Sequence, residues 1–481
     1  MVHEFLNRKK LKSGVTEKNS RIKELWPIML SYAFISLTHA TIIINMITLS
    51  NIIWPGESVH LLEMGLILTT SLWATAFSGI LIGGLTDRYS RKKLLIFVLL
   101  LTGIAWTLYG IPPAGQGMNT WYIYIIASIL SGFGIGGIRP ILLSYTNDFL
   151  EKDNRSAFFG RYYSVGSLFI PIGMIFSAIL IQNGFWRLYF WIIGILIILS
   201  AVNVFLHIRE PIRGLHSSDE LKAVLSNQDS YVKYDYRMTK NTVRLTIFRS
   251  TNLLALIEGI FSWILFGTVQ FLMVLFLQQE PNNLSSISVA LFMIIFAVPG
   301  TIAGTILFSK RSDKWGSKDI KKRLNLIILA LILVGIIQLV FFLIPLPGFS
   351  LLEGNNILFL LQSAWIWVLG ILLFTRFTVS ILYNTNQPPV LQTINLPEAQ
   401  GIVSSWNQFV ETIGQGIGPT IASLLLIITY NNFEITALIL FLLALPGIIM
   451  WVYAKRTINK DVEIVTKILS DRAIELGVNR H

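Results

Sequence analysis

The sequence predicts an all-α membrane protein in which twelve transmembrane helices form two pseudo-symmetric six-helix bundles. Three observations predict it: the composition, a repeated series of apolar runs, and a single long polar stretch near the middle. Of the 481 residues, 53% are hydrophobic and 13% are charged, whereas charged residues make up about 25% of an ordinary soluble domain. This composition excludes a soluble globular protein and a disordered chain.

The apolar runs are each close to the ~20 residues that a helix needs to cross about 30 Å of hydrocarbon. They are continuously apolar and lack the alternation typical of a transmembrane β-strand. We therefore predict spans at about 25–50, 61–84, 94–113, 119–147, 156–182, 186–208, 250–279, 285–308, 324–345, 356–386, 399–429 and 433–455.

The long polar stretch, 209–249, divides these spans six and six. It predicts a cytoplasmic linker between an N-terminal bundle at 25–208 and a C-terminal bundle at 250–455. The basic segment 1–24 runs into the first span without the small-residue cleavage site of a secretory signal. We therefore expect it, like the segment 456–481, to be a cytoplasmic tail.

Lys and Arg number 38 against 26 Asp and Glu, and their distribution predicts the orientation. The tails and the loops after spans 2, 4, 6 and 8 carry nearly all of these basic residues, and the loop after span 10 has none. The alternate loops contain no Lys or Arg, namely 51–60, 112–118, 280–284, 346–355 and 430–432. By the positive-inside rule both termini are cytoplasmic, and we expect the plasma membrane. Because the charge forms no stripe on a soluble face, a nucleic-acid partner is not expected.

The chain has no Cys and six scattered His without an HExxH motif. A disulfide framework and Cys-ligated metals are thereby excluded, and we expect no cofactor and no metal site. The sequence has no GxxxxGK[ST] motif either, so ATP is not the predicted energy source.

One loop motif occurs twice, at equivalent positions of the two halves. After span 2 the chain reads GGLTDRYSRKK at 83–93, and after span 8 it reads KRSDKWGSK at 310–318. An Asp, a basic residue, an aromatic residue and a small residue align at a constant offset. Two explanations of the repeated motif are open. Either the basic residues serve only to keep the loop on the cytoplasmic side, as the positive-inside rule describes, or the motif has a gating role. The candidate gating residues are Gly83, Asp87, Arg88, Arg91, Asp148 and Asp313.

The run 83–93 resembles the loop 2–3 signature of the major facilitator superfamily, G-x-x-x-D-R-x-G-R-R, and the twelve spans and long central loop are also similar to that superfamily. The resemblance implies the major facilitator fold and a charge network that latches the outward-open state. Asp87 and Arg88 occupy the latch positions, with Asp148 as a partner. Ser90 replaces a preferred Gly, which makes a left-handed turn there costly.

Two narrower resemblances concern short segments. GIGGIRP at 134–140, followed by Asp148 and Phe149, is similar to a span 4 pattern of proton-coupled peptide transporters, although span 1 lacks their E-x-x-E-R motif. The sequence EPIRG at 210–214 weakly resembles other superfamily members, including the spinster-like lipid carriers.

A few polar and charged side chains fall well inside the spans. Each charge costs about 2.5–3.5 kcal/mol at mid-helix, so it should face a cavity or another charge. On span 11, Asn407 and Glu411 recur at helical spacing, as expected for a cavity wall. The candidate residues of the substrate and proton pathway are His39, Asn45, Arg139, Glu258, Gln270, Arg376, Asn407 and Glu411.

These side chains leave alternatives open. Glu258 and Glu411 either carry protons or make structural hydrogen bonds between helices. Arg139 and Arg376 either capture a substrate anion or pair permanently with a carboxylate. His39 either exchanges a proton or donates a hydrogen bond within the bundle.

The sequence therefore predicts a secondary active transporter, not an enzyme. It would move a small organic or amphipathic solute by alternating access, as a proton-coupled symporter. Its expected partners are that solute, protons and the lipid bilayer, and we expect a monomer. The alternatives are an uncoupled facilitator, a polytopic membrane enzyme and a transporter-like receptor.

Overall fold

The computed structural model describes residues 23–86, 88–150, 152–211, 248–316, 318–396 and 399–475. Within these ranges all regular secondary structure is helical. This part of the chain contains twelve helices that are long and apolar enough to cross a membrane. The predicted all-α class and the number of spans are thereby confirmed.

We number these helices as spans in chain order. Span 1 consists of Trp26–Ser36 and Thr41–Ile44, and a further helix, Met46–Ile53, follows it. Spans 2 to 12 are Leu61–Thr86, Arg91–Tyr109, Met118–Phe149, Lys152–Gln182, Trp186–His207, Ser250–Gln278, Ser286–Gly316, Ile320–Leu343, Ala364–Thr393, Gln400–Ile428 and Phe433–Glu475. Two short helices, Leu351–Gly354 and Ile357–Leu360, precede span 10.

Span 1 is interrupted, although the sequence predicted a continuous helix over 25–50. The chain turns at 37–40, where Ala40 has a positive φ of 61°. Irregular backbone at membrane depth is tolerated where protein groups bind its polar atoms. Here the hydroxyl of Tyr189 donates a hydrogen bond to the carbonyl oxygen of Leu37 over 3.1 Å.

Three other predicted boundaries were wrong. Span 10 begins at Ala364 rather than near 356, because Ser350 and Asn356 cap two short helices ahead of it. Span 8 continues to Gly316, and span 12 continues to Glu475 as a 43-residue helix. Charged residues end an apolar run, but they are good helix formers and a helix can continue through them into water. Hydropathy alone therefore placed the ends of spans 8 and 12 too early.

The chain divides into two compact units. Unit 1 combines Met1–Thr41 with Phe77–Tyr231, and unit 2 combines Ile42–Ala76 with Val232–His481. These units are defined by packing. The division into two six-helix bundles by chain order stays a prediction.

Unit 1 is held by close packing of span 3 against spans 4 and 6. A Cβ atom on Gly134 of span 4 would lie 2.7 Å from the carbonyl oxygen of Val98, and one on Gly194 of span 6 would lie 2.8 Å from that of Gly103. Between these helices, the indole of Trp106 donates a hydrogen bond to Ser131 over 2.9 Å. Small residues thus set the helix spacing in this unit.

In unit 2, span 11 packs closely against span 7. A Cβ atom on Gly414 would lie 2.5 Å from the carbonyl oxygen of Ile260, and one on Gly267 would lie 2.5 Å from that of Gln415. The backbones therefore approach as only glycine allows. This contact places Glu411, one turn before Gly414, beside span 7.

We expect Gly414→Ala to destabilise the protein by about 1–3 kcal/mol, because the added methyl group meets backbone that cannot move aside. Thermal unfolding of the purified protein in a nonionic detergent would measure the loss. The matched control is Gly84→Ala, where a Cβ atom meets no atom within 4 Å. Equal melting temperatures for the two variants would contradict the packing described here.

The first half of span 2 belongs to unit 2, where it packs against span 11. Thr69 donates a hydrogen bond to the carbonyl oxygen of Gly416 over 2.6 Å, and Ser423 donates one to that of Leu61 over 2.8 Å. Span 11 therefore contacts span 7 through one face and span 2 through another.

Candidate functional site

Glu258 lies in span 7 and is completely buried. Its carboxylate accepts hydrogen bonds from the hydroxyl of Ser262, one helical turn further on, and from the hydroxyl of Tyr383 in span 10, at 3.3 Å in the second case. Such contacts satisfy a carboxylate that the hydrocarbon would otherwise exclude.

Glu411 lies in span 11 and is half-buried. Its Oε1 accepts a hydrogen bond from the amide of Asn407 over 2.7 Å and one from the amide of Gln387, in span 10, over 3.0 Å. Gln387 also donates to Asn407 over 2.9 Å. The three side chains form a closed network between spans 10 and 11.

The two carboxylates lie close together, and we call Glu258 and Glu411 the acid pair. They interact electrostatically, and a Cβ atom on Gly259 would lie 3.3 Å from Cγ of Glu411. Span 10 contacts both acids through Tyr383 and Gln387, which are separated by one helical turn. Since like charges at short range repel, a proton on either acid relieves the repulsion.

Arg376, also in span 10, is 6% exposed. Its guanidinium lies over the ring of Phe377, 4.8 Å from the centroid. Its Nε is buried and has no hydrogen-bond partner among the described residues. The structure therefore does not give Arg376 the permanent carboxylate partner that the sequence left as one alternative.

The other predicted pathway residues lie in varied environments. Asn45 is completely buried where helices Thr41–Ile44 and Met46–Ile53 meet, and Gln270 is half-buried in span 7. His39 and Arg139 belong to unit 1 and are exposed. The described hydrogen bonds to the acid pair all come from residues of unit 2.

The first loop motif forms a charge cluster in unit 1. Arg91 pairs with Asp148 over 2.6 Å, both side chains being 8% exposed, and its Nε donates to Ser144 over 2.7 Å. The partner of Asp148 is therefore Arg91 rather than Arg88, which is exposed. Arg91 lies three residues further along, at the start of span 3. Asp87 lies outside the described residues.

Glu210 joins this cluster from the end of span 6. Its carboxylate accepts hydrogen bonds from the hydroxyl of Ser90 and from the backbone amides of Arg91 and Lys92, over 2.5 to 2.9 Å. These amides begin span 3, where a carboxylate is favoured. Ser90 caps the same helix and has a φ of −59°, so the expected left-handed turn, with its cost, does not occur. Gly83 packs in ordinary contact against Pro140.

The second copy of the motif is more open. Arg323 pairs with Asp313 over 3.1 Å, and the Asp313 side chain is 74% exposed. Arg323 also donates a hydrogen bond to Asn386 over 3.4 Å, and Asn386 donates one to Ser312 over 3.1 Å. The sequence analysis missed Arg323 and Ser144. A helix-starting Arg ten residues after the motif Asp was the available signal for Arg323.

Unit 2 also has a cavity of about 980 Å³, lined in part by Phe276 near the end of span 7 and by Leu426 near the end of span 11. Its lining includes three carboxylates, Glu57, Glu280 and Glu434, but no Lys or Arg. None of the predicted site residues lines it. The acid pair and Arg376 therefore remain the candidate site.

Comparisons with known proteins indicate the family. A sequence profile described as Major Facilitator Superfamily matches residues 28–419. The chain is 23% identical over 244 residues to an uncharacterized transporter of Buchnera aphidicola subsp. Schizaphis graminum, a match covering 51% of this chain and 55% of that protein. It is 32% identical over 109 residues to the low-affinity glucose transporter HXT3 of Saccharomyces cerevisiae, covering 23% and 18% of the two chains. The chain thus spans about half the length of the first relative and less of the second.

Solved structures share the fold. A bacterial homolog of the human lysosomal transporter Spinster, in an inward-facing and unoccupied conformation, gives a TM-score of 0.66 at 18% identity, covering 92% of this chain and 98% of that one. The nucleoside transporter NupG gives a TM-score of 0.60 at 13% identity, covering 90% and 99%. At these identities the likeness shows the fold alone. Because the family profile matches most of the chain, this protein belongs to the major facilitator superfamily and is an integral, multi-pass membrane protein.

Proposed function

We propose that the protein is a proton-coupled symporter that moves a small organic or amphipathic solute by alternating access. It acts as a monomer in the plasma membrane, with both termini in the cytoplasm. The observation that carries this proposal is the acid pair, two adjacent carboxylates inside unit 2 at membrane depth.

Protons suit this site because its two carboxylates lie close together. Ser262, Tyr383, Asn407 and Gln387 hold the two carboxylates in place, and a bound proton removes the repulsion between them. A metal-ion coupling site would need a larger set of ligands, and the described residues contain no group of three or more acids or His able to hold a metal ion.

Span 11 connects proton binding to helix movement. It carries Glu411, contacts Glu258 on span 7 and forms hydrogen bonds with the first half of span 2. Protonation changes the charge at its contact with span 7, so it changes the relative stability of the arrangements in which span 11 packs. Alternating access requires such a coupled, two-state element.

The charge cluster of the first loop motif supports the same proposal. Arg91, Asp148 and Glu210 tie the loop after span 2 to spans 3, 4 and 6. A buried ion pair of this kind favours one arrangement of helices strongly. We propose that it latches one of the two access states.

The test uses proteoliposomes that contain the purified protein and an internal pH-sensitive dye. We expect at least one solute from a panel of metabolites and amphiphiles to drive acidification of the lumen when it is added outside. Solute uptake without proton movement would instead identify a facilitator. A solute that binds without being taken up would favour a receptor.

A further inference from the structure

Arg376 is a buried cation whose counter-charge is not supplied by the described residues. Its buried Nε has no hydrogen-bond partner among the described residues, and no described carboxylate lies within ion-pair distance of its guanidinium. A lone charge at mid-helix is costly. A residue that reduces stability in the substrate-free protein is typical of a binding site.

The charges inside unit 2 do not offer a permanent partner. Between their ends, spans 7, 10 and 11 carry one charged side chain each, which are Glu258, Arg376 and Glu411. Both acids already accept hydrogen bonds from span 10, at Tyr383 and Gln387. Arg376 precedes Tyr383 by seven residues, which is two turns or about 10 Å along the same helix face.

Neighbouring helices add no further charge at this depth. Span 8 has none before Lys310, span 9 has none after Arg323, and span 12 has none between Glu434 and Lys455. Arg376 lies twelve residues from the start of span 10, about 18 Å along the axis. Lipid phosphates are therefore too distant to pair with it.

A second unpartnered donor lies on the facing helix. The Nε1 atom of Trp263 in span 7 is buried and has no hydrogen-bond partner among the described residues. Trp263 packs against Phe266 at 5.6 Å between centroids, and Phe266 packs against Tyr383 at 5.5 Å. Aromatic rings beside charged and polar donors favour a ligand with an organic body.

We propose that the transported solute is an organic anion, a carboxylate or a phosphate ester, whose charged group binds Arg376. This inference rests on the proposed function, and it adds an order of events. With protons on the acid pair, Arg376 is the remaining charge and the anion neutralises it. When the protons leave, the negative charge of the acid pair repels the anion and favours its release. Among the described contacts from other helices, Tyr383 and Gln387 of span 10 and Trp451 of span 12 face the acid pair, and none of them is charged.

The experiment measures thermal stabilisation of the purified full chain in nonionic detergent, at pH 5.5 and pH 8. The anionic probes are benzoate, hexanoate, gluconate and hexyl phosphate. Benzyltrimethylammonium, hexyltrimethylammonium, glucose and hexanol are their uncharged or cationic counterparts. We expect at least one anion, and none of the counterparts, to raise the melting temperature, more strongly at pH 5.5. The carboxylate and phosphate arms distinguish the two anion types.

Variants of Arg376 test the assignment. Arg376→Gln should abolish stabilisation by the anion. Arg376→Lys should raise the half-saturating concentration of the anion about tenfold, because Lys keeps the charge but lacks the planar fork of donors. In the absence of any probe, Arg376→Gln should melt about 2 °C or more above the wild type, because it removes an uncompensated charge. Arg456→Gln, which removes an exposed Arg of span 12, should leave all these values unchanged.

The outcomes separate this inference from the proposed function. If no anion stabilises the protein, or if Arg376→Gln lowers the melting temperature and keeps anion binding, the anion assignment is wrong. If an anion binds through Arg376 equally at both pH values and equally in Glu411→Gln, the anion assignment stands and proton coupling fails. If a neutral or cationic solute drives proton uptake, proton coupling stands and the anion assignment fails.

Discussion

Glu411→Gln and Glu258→Gln are each expected to reduce solute-driven proton uptake in proteoliposomes to the background of protein-free vesicles. The substitution keeps the size of the side chain and its ability to accept from Asn407 and Gln387, or from Ser262 and Tyr383. It removes the group that binds the proton. Uptake of the labelled solute down its own gradient should persist, because the amide resembles the permanently protonated acid.

The matched control is Glu463→Gln, which changes an exposed acid of span 12. It should leave proton uptake and melting temperature at wild-type values. Persistence of solute-driven proton uptake in the Glu258→Gln, Glu411→Gln double variant would contradict the proposed role of the acid pair. A loss of proton uptake accompanied by unfolding would be detected by the melting temperature measured on the same preparation.

The second large effect is expected at the ion pair of the first loop motif. Asp148→Ala should lower stability by about 3–5 kcal/mol, because it leaves Arg91 charged and buried without its partner. Arg91→Ala should have an effect of similar size and also remove the hydrogen bond to Ser144. Thermal unfolding in detergent, compared with the wild type, measures both.

The second copy of the motif supplies the control for this prediction. Asp313 forms the corresponding pair with Arg323, but its side chain is 74% exposed, so Asp313→Ala should cost only about 0–1 kcal/mol. The double variant Arg91→Leu, Asp148→Leu should recover much of the stability lost by either single change, because no buried charge remains. An Asp148→Ala variant as stable as Asp313→Ala would show that the buried pair contributes little.

Part of the candidate site followed from helical spacing. Asn407 and Glu411 are four residues apart on span 11, and Glu258 precedes Ser262 by four on span 7, so their contacts within each helix were predictable. The links between helices were not, since they depend on how spans 7, 10 and 11 pack. Glu411 lies beside span 7 because Gly267 and Gly414 allow spans 7 and 11 to pack closely, and Tyr383 and Gln387 reach the two acids from span 10.

Span 1 and the first loop motif are two further places where contacts between helices could not be predicted from the sequence. No Gly or Pro marks the turn at 37–40, and its carbonyl at Leu37 is bound by Tyr189 from span 6. Likewise the resemblance placed Asp87 and Arg88 at the latch, with Asp148 as a partner. The structure pairs Asp148 with the buried Arg91, and Arg88 is exposed.

The sequence by itself determined that the chain crosses the membrane twelve times and that Glu258, Arg376 and Glu411 lie inside the spans. Each of these properties depends on the transfer of a local segment from water to hydrocarbon, which composition and length specify. Tertiary structure alone decided that the two acids are neighbours and that Arg376 has no counter-charge among the described residues. Such relationships arise between segments that are distant along the chain, and packing geometry rather than local hydropathy determines them.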